Sequence, residues 1–156
     1  MRPSLLAERP PSSLAPISDS YQNQGMTLRE VLHAHVPTLS EESTVRDAVD
    51  KMDIYQFPAL VILSQERRPL AVVTEGDLCW AVSHRDSLIS MSKEPAIVHA
   101  TKDPVTVQAD LEIGAAFHRM LGSGLTVLPV VDDETFMGMV LRVDLMQAML
   151  QDMEPT

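Results

Sequence analysis

The sequence predicts an α+β fold that consists of two similar β-α-β-β-α units. Three observations lead to this prediction. The chain has 156 residues, which is enough for two small units that share one core. A pattern recurs along it, because Thr38 aligns with Thr106 and Met52 with Met120, 68 positions apart in each case. Each copy also shows strand-like and helix-like periodicities in the same order.

Composition and charge restrict the classes of function. Apolar residues make up 45% of the chain and the mean hydropathy is +0.02, as in globular proteins. The net charge of −10 disfavours non-specific binding to nucleic acid and to anionic membranes. The single cysteine, Cys79, stands beside Trp80 and is interpreted as packed. One cysteine, no membrane-length apolar run and no signal peptide together predict a cytoplasmic protein.

Three segments divide the chain. Residues 1–25 are rich in proline and serine and are expected to form a flexible tail, because they have little apolar area to bury. Residues 26–90 are expected to form the first repeat and residues 91–156 the second.

Each copy is expected to open with a short strand and an amphipathic helix. The strands are at 38–39 and 105–107. The apolar residues of each helix recur at i, i+3, i+4 and i+7, which is typical of a helix buried along one face. They are Val45, Ala48, Val49 and Met52, and then Ile113, Ala116, Phe117 and Met120. Thr44 and Asp47 have capping-box spacing, and Asp110 is the expected N-cap of the later helix.

Two strands and a second helix are expected to complete each copy. The strands are at 59–63 and 70–73, and at 127–131 and 136–141. Their continuous apolar runs predict burial on both faces. The helices run from about 75 to 84 and from about 143 to 152. We align residues 57–63 with residues 128–134, which both open with apolar-Pro-apolar, so that Pro58 matches Pro129. A proline is tolerated at the opening of a strand, and this alignment gives the first copy a longer turn after its proline.

These motifs resemble those of the CBS domain family, in the paired arrangement called a Bateman module. The matching stretches are apolar-Pro-Val-Val-Asp at 128–132, apolar-apolar-Thr-x-x-Asp-Leu at 72–78 and Gly-x-x-x-x-x-Asp-Leu at 138–145. The resemblance covers residues 27–152. It implies two repeats that pack through their sheets about a pseudo-twofold axis, with two clefts between them. It also implies a regulator of other proteins, not an enzyme, that binds an adenosine nucleotide or S-adenosylmethionine.

The stretch from Thr74 to Asp77 has two interpretations. As local structure, Thr74 caps a helix and the Asp77 carboxylate accepts a hydrogen bond from the cap amide. As a ligand site, the carboxylate accepts two hydrogen bonds from a ribose diol, and the helix amides face a ribose or phosphate oxygen. Gly76 would let the ligand approach the backbone closely. Both roles can coexist.

The resemblance also implies that the rest of this cleft comes from both copies. It brings Val72, Thr74 and Asp77 to face Ala100, Val105, Leu125 and Thr126. Val72, Val105 and Leu125 would enclose an adenine ring, and backbone groups near Ala100 and Thr126 would bind its edge. For each apolar residue taken singly, the alternative is an ordinary place in the core.

The second cleft has a weaker motif, because Leu141 stands where the first has a threonine hydroxyl. Asp144 keeps the carboxylate, with a helix cap as its alternative role, and Arg142 would serve a phosphate if it points inward. Many family members carry a basic residue before the apolar-Pro pair, where this chain has Gln56 and Val127. This disfavours a multiply charged ligand. The candidate ligands are AMP, ADP, ATP and S-adenosylmethionine, and no cofactor is assigned firmly.

The sequence shows no catalytic set and no metal site. His33 and His35 are loosely spaced and lack a cysteine partner, so they are interpreted as solvated or satisfied within the protein. We therefore expect a ligand-sensing module that acts on an unidentified partner protein, the alternative being a structural or interaction module with empty clefts. A Met-rich apolar helix face predicts a homodimer. Its residues are Leu145, Met146, Met149, Leu150 and Met153.

Overall fold

Two β-sheets face each other, each with helices on its outer side. The computed structural model describes residues 25–85 and 87–153. The first sheet contains, in spatial order, β1 (Thr38–Leu39), β2 (Ala59–Leu63), β3 (Pro69–Thr74) and β4 (Thr101–Lys102). The second contains β5 (Val107–Gln108), β6 (Val127–Asp132) and β7 (Thr135–Leu141). In both sheets the first strand runs parallel to the second, and an antiparallel hairpin follows.

Five α-helices occur in the described residues. They are α1 (Val45–Tyr55), α2 (Glu75–Ser83), α3 (Leu88–Met91), α4 (Ile113–Ser123) and α5 (Arg142–Met153). Short 3₁₀ turns lie at Leu28–Glu30 and Ala96–His99. The predicted β-α-β-β-α order is confirmed in both copies, while α3, β4 and the two turns fall outside it. No helix in these residues combines the length and the apolar character that crossing a membrane requires.

The two copies keep one register through their first strands. Leu39 of β1 pairs with Ile62 of β2, and Val107 of β5 pairs with Val130 of β6, so both partners lie 68 positions later in the second copy. The strands predicted at 59–63 and 127–131 are therefore equivalent. The opening strand of the second copy lies at 107–108 and not at 105–107, because the preceding residues cross from the first sheet to the second.

Two details of the predicted alignment are wrong. Pro58 precedes β2, whereas Pro129 lies inside β6, so the two prolines are not equivalent. Pro129 is tolerated there because β5 pairs with β6 only from Val130 onward, so no bond to β5 is lost at the proline. Asp110 is not the N-cap of α4. The helix begins later, and Glu112 has the extended backbone of the cap.

The two long strands of each copy, β2 and β3 in the first and β6 and β7 in the second, are buried on both faces over most of their length, as predicted. On β2, alternate residues face the helices or the opposite sheet. Leu60 and Ile62 pack under the helices, and Ala59, Val61 and Leu63 pack on the other sheet. Phe136 and Met139 of β7 complete this contact from the second sheet. Cys79 on α2 is exposed, contrary to the prediction that it is packed, while its neighbour Leu78 fills the core position.

The opening segment of each copy packs on the sheet of the other copy. Leu28 is fully buried among residues of the second copy, and His33 bridges to Met139 of β7. In the opposite direction, Met91 and Ala96 fill the core of the first copy, and β4 pairs with β3. Residues from both predicted repeats therefore contribute to each of these cores. Residues 1–24, which carry the predicted flexible tail, lie outside the described residues.

Gly138 allows the N-terminal segment to close onto β7. A Cβ atom at this position would clash with the carbonyl group of His33 and with the side chain of Leu32. Gly138 lies in the buried part of β7, opposite Val130. The close approach of the segment to the sheet therefore requires a residue without a side chain at this position.

The first prediction follows from this contact. Gly138→Ala should lower the free energy of unfolding by about 1–3 kcal/mol, because a backbone segment must shift to admit the methyl group. Gly122→Ala is the matched control. Its Cβ would meet no atom within 4 Å in α4, so the change should be neutral or stabilise by up to about 1 kcal/mol. Urea unfolding of both variants measures the difference, and equal midpoints would contradict the close approach.

Candidate functional site

A cleft between the two copies brings together most of the predicted ligand residues. The cavity has a volume of about 220 Å³ and lies where β3, α2 and the crossing after β4 meet the loop before β6. Of the predicted residues, its lining contains Val72, Thr74, Asp77, Val105, Leu125 and Thr126. We call this cavity the Asp77 cleft. Its walls come from both copies, so it exists only when the two copies are packed together.

The sequence places Asp77 in the cleft through a helix cap. Thr74 ends β3 with an extended backbone and is the N-cap of α2. Its Oγ1 accepts from the Asp77 amide at 3.0 Å, and Asp77 Oδ2 accepts from the Thr74 amide at 3.0 Å. The predicted capping box is therefore present. In the part of the chain that the structure describes, Oδ1 of Asp77 has no hydrogen-bond partner, so it remains free to accept one from a ligand.

Asp77 also lines a neighbouring cavity of about 230 Å³. Its other lining residues are Trp80, Ala81, Val98, His99 and Ala100. Ala100 and Asp77 therefore line this second cavity together, and Ala100 does not line the Asp77 cleft. Gly76 is exposed and lines neither, and a Cβ there would make only an ordinary contact with Thr74 Oγ1, at 3.7 Å. The protein itself therefore does not require glycine at position 76.

Sequence reasoning missed two polar residues of the cleft. Thr101 pairs with Val72 across β3 and β4, and Asp103 follows it with a left-handed backbone, φ 52°. Both line the Asp77 cleft. Their place in the sequence could have indicated them, because they lie between Ala100 and Val105, which are both predicted ligand residues. Aspartate is one of the few residues that adopts this backbone conformation without a large penalty.

The Asp77 cleft is acidic. Its lining contains the carboxylates of Asp77 and Asp103 and, within the described residues, no lysine, arginine or histidine. Arg142, which was predicted to serve the second cleft, instead donates from Nε to the carbonyl oxygen of Leu125 at 2.9 Å. It therefore supports the loop that forms one wall of the Asp77 cleft. This charge pattern opposes the entry of a ligand that carries several phosphates.

The counterpart of this cleft lies beside the N-terminal segment, where His33 bridges to β7. It is larger, about 480 Å³. Its lining residues are His33, Ala34, His35, Val36, Pro37, Tyr55 and Phe57. His33 bridges to β7 as Thr101 pairs with β3, so an imidazole occupies the position of the Thr101 side chain. Among the described residues, no group of three metal-binding side chains is present.

Asp144 is already engaged by protein groups. Its Oδ2 accepts from the Leu141 amide at 2.7 Å, which caps α5, and lies 2.9 Å from Nε2 of His33. The cap role that was the alternative for Asp144 is therefore present. Neither Asp144 nor Arg142 lines the larger cavity. Sequence reasoning missed the contact with His33, because the two residues lie 111 positions apart.

The predicted dimer face on α5 divides into two parts. Leu145 and Met149 are buried in the core of the second copy, so these two residues of the predicted face do not reach its surface. The exposed apolar residues of the helix are Val143, Met146 and Leu150, at 57%, 44% and 61% exposure. The side chain of Met153 lies outside the described part. An apolar stripe at i, i+3 and i+7 remains on the surface.

The chain contains two β-α-β-β-α repeats in tandem, with two cavities beside the interface between their sheets. This arrangement defines the class of protein, a repeat pair with cavities where the repeats meet. The CBS domain family matches the chain twice, over residues 28–84 and 90–151. The chain belongs to the CBS domain family and contains a pair of these domains.

Three known proteins illustrate the similarity. An uncharacterized protein of Methanopyrus kandleri is 29% identical over 129 residues, which are 80% of this chain and 63% of that protein. The inosine-5′-monophosphate dehydrogenase of Methanocaldococcus jannaschii is 28% identical over 120 residues, 76% of this chain and 22% of the enzyme. The chain therefore spans less than two thirds of both relatives. The crystal structure of CBSX2 in complex with AMP, a protein of Arabidopsis thaliana, has the same fold, with a TM-score of 0.71 at 22% identity over 81% of this chain and 98% of CBSX2.

Proposed function

We propose that this chain is a ligand-sensing regulatory module that binds an adenosine-containing molecule in the Asp77 cleft and acts on a partner protein. One observation carries the proposal: a carboxylate with a free oxygen faces apolar walls that come from both copies. The carboxylate suits a ribose diol, which offers two donors. Val72 and Leu125, from different copies, suit a flat base. The AMP complex of CBSX2 supports this class of ligand in the same fold.

The charge of the cleft favours some adenosine compounds over others. Asp77 and Asp103 both carry negative charge, and no basic side chain is among the described lining residues. Each added phosphate is therefore disfavoured, whereas the sulfonium of S-adenosylmethionine is attracted. We expect affinity to fall in the order S-adenosylmethionine, AMP, ADP and ATP.

Binding between the copies explains how a ligand would act at a distance. A bound molecule touches the end of β3, the segment after β4 and the loop before β6, so it holds the two copies together. It thereby favours one relative arrangement of the copies, which changes the surface that a partner protein meets. The described lining of the cleft consists of carboxylates, threonine hydroxyls and apolar side chains, with no histidine, lysine or cysteine among these residues to activate a hydroxyl or attack a substrate, so the proposed role is binding and not catalysis.

The alternative is a structural or interaction module whose clefts stay empty. One observation favours it: Thr74 Oγ1 and Asp77 Oδ2 already satisfy each other's backbone amides in the capping box. The same pattern occurs at Thr44 and Asp47 at the start of α1, where neither residue lines a cavity among those described. A capping box alone therefore does not distinguish a ligand site from a helix start.

Thermal shift distinguishes the two functions. A ligand at a hundred times its dissociation constant should stabilise the fold by about 2.7 kcal/mol. For a chain of this size, the melting temperature then rises by roughly 5–10 °C. Asp77→Ala should lower affinity by about ten- to a hundredfold, because it removes a charge-assisted hydrogen bond.

Asp47→Ala is the matched control for Asp77→Ala. Both variants lose a capping-box carboxylate and about 1 kcal/mol of stability, and only Asp77→Ala should lose affinity. Asp144→Ala should leave affinity nearly unchanged, because that carboxylate serves the helix cap and His33. If none of the four adenosine compounds raises the melting temperature, the ligand proposal is wrong, and the structural or interaction role with empty clefts is favoured.

We also propose that the chain forms a homodimer through the exposed stripe of α5. A second copy would cover Val143, Met146 and Leu150, which a monomer leaves in water. Met146→Glu should convert the dimer to a monomer, because it places a charge in an apolar contact. Gln65→Glu, in the turn after β2, adds the same charge elsewhere and should leave the dimer intact. Light scattering reports the mass, and a monomeric wild-type chain at high micromolar concentration would contradict the proposal.

A further inference from the structure

His99 is a nearly buried histidine in the cavity that shares Asp77 with the main cleft. Its side chain is 10% exposed, and it lies at the end of the 3₁₀ turn that precedes β4. Trp80 and Ala100 line the same cavity. A buried imidazole needs hydrogen-bond partners for both ring nitrogens or a reason for leaving one free. The second nitrogen is important because His99 and Asp77 line the same cavity.

Glu94 determines which nitrogen of His99 carries the proton. Glu94 Oε1 lies 2.8 Å from His99 Nε2 and accepts from Arg85 Nη2 at 2.6 Å. The hydrogen bonds from Arg85 and His99 hold the pKa of Glu94 below its usual value. The carboxylate is thus ionised and only accepts, so Nε2 of His99 must be the donor. In a neutral imidazole the other nitrogen, Nδ1, is then an acceptor, and it has no hydrogen-bond partner within residues 25–85 and 87–153.

We propose that Nδ1 of His99 accepts a hydrogen bond from the exocyclic amino group of a 6-aminopurine, so that the site selects adenine over 6-oxopurines. The inference rests on the proposed function. Asp77 borders both cavities, so a base held between Val72 and Leu125, with its ribose on Asp77, would point its 6-amino edge toward the cavity of His99. A 6-oxo group in the same place would put its carbonyl oxygen, which only accepts, opposite the acceptor nitrogen Nδ1. Neither is then satisfied, and a site built for a hydrogen bond rejects such a ligand strongly.

The competing role for His99 is purely structural. Its bond to Glu94, together with Arg85 on the same carboxylate, ties the segment before β4 to the end of α2. Loss of binding in a simple truncation would therefore not separate recognition from folding. Two substitutions separate them. His99→Gln keeps a donor where Nε2 lies but places a methylene group near the Nδ1 position. His99→Asn abandons Glu94 but keeps an acceptor oxygen near the Nδ1 position.

The test compares adenosine with inosine by calorimetric titration at pH 8, above the range in which histidine side chains ordinarily gain a proton. Wild-type protein should bind adenosine at least about tenfold more tightly than inosine. His99→Gln should reduce that ratio to about twofold or less while its melting temperature stays near the wild-type value. His99→Asn should keep the preference for adenosine although it melts at a lower temperature.

Each contrary result has a distinct meaning. Equal affinity of the wild-type protein for adenosine and inosine would overturn the role of His99 and leave the proposed function standing. If His99→Gln keeps the full preference, the discrimination belongs to other groups and the assignment is wrong. If the wild-type protein binds neither nucleoside, the inference about His99 is wrong, and the thermal-shift test with the four adenosine compounds decides the proposed function separately.

Discussion

The exchange of opening segments between the two copies is the interaction on which the rest of the structure depends. Thr101 pairs with Val72 on the first sheet, and His33 bridges to Met139 on the second. Each segment then crosses to its own copy, and a cavity lies beside each crossing. Leu28 fills a core to which its own copy contributes no strand. Neither copy therefore has a complete core alone, and the cavities are consequences of the same exchange.

Much of the fold could be predicted from the sequence because its signals are local or periodic. Helical spacing located α1 and α4, continuous apolar runs located the doubly buried strands, and the spacing of Thr74 and Asp77 gave the capping box. The error at Pro58 and Pro129 arose because the two prolines were aligned as the same residue type, although the strand pairing places them at different positions relative to their strands. The strand pairs show that the constant shift of 68, already visible from Leu39 to Val107, continues into the next strand.

The remainder depends on contacts between residues that are far apart in sequence. Periodicity carries no information about which segment covers which sheet, so the contacts of His33 with Asp144 and of Arg142 with Leu125 could not be foreseen. The same limit applies to α5. Its apolar residues surround most of the helix, so spacing alone does not tell that Leu145 faces the core while other apolar positions face water.

The two clefts have diverged in chemistry, and this asymmetry leads to the most direct test of a ligand site between the copies. Nuclear magnetic resonance of the labelled chain during an adenosine titration maps the residues that respond. The account predicts that amide signals of Thr74 and Asp77, from the first copy, and of Leu125 and Thr126, from the second, shift together as the site fills. Shifts confined to one copy, or centred on His33 and its neighbours in the larger cavity, would contradict it.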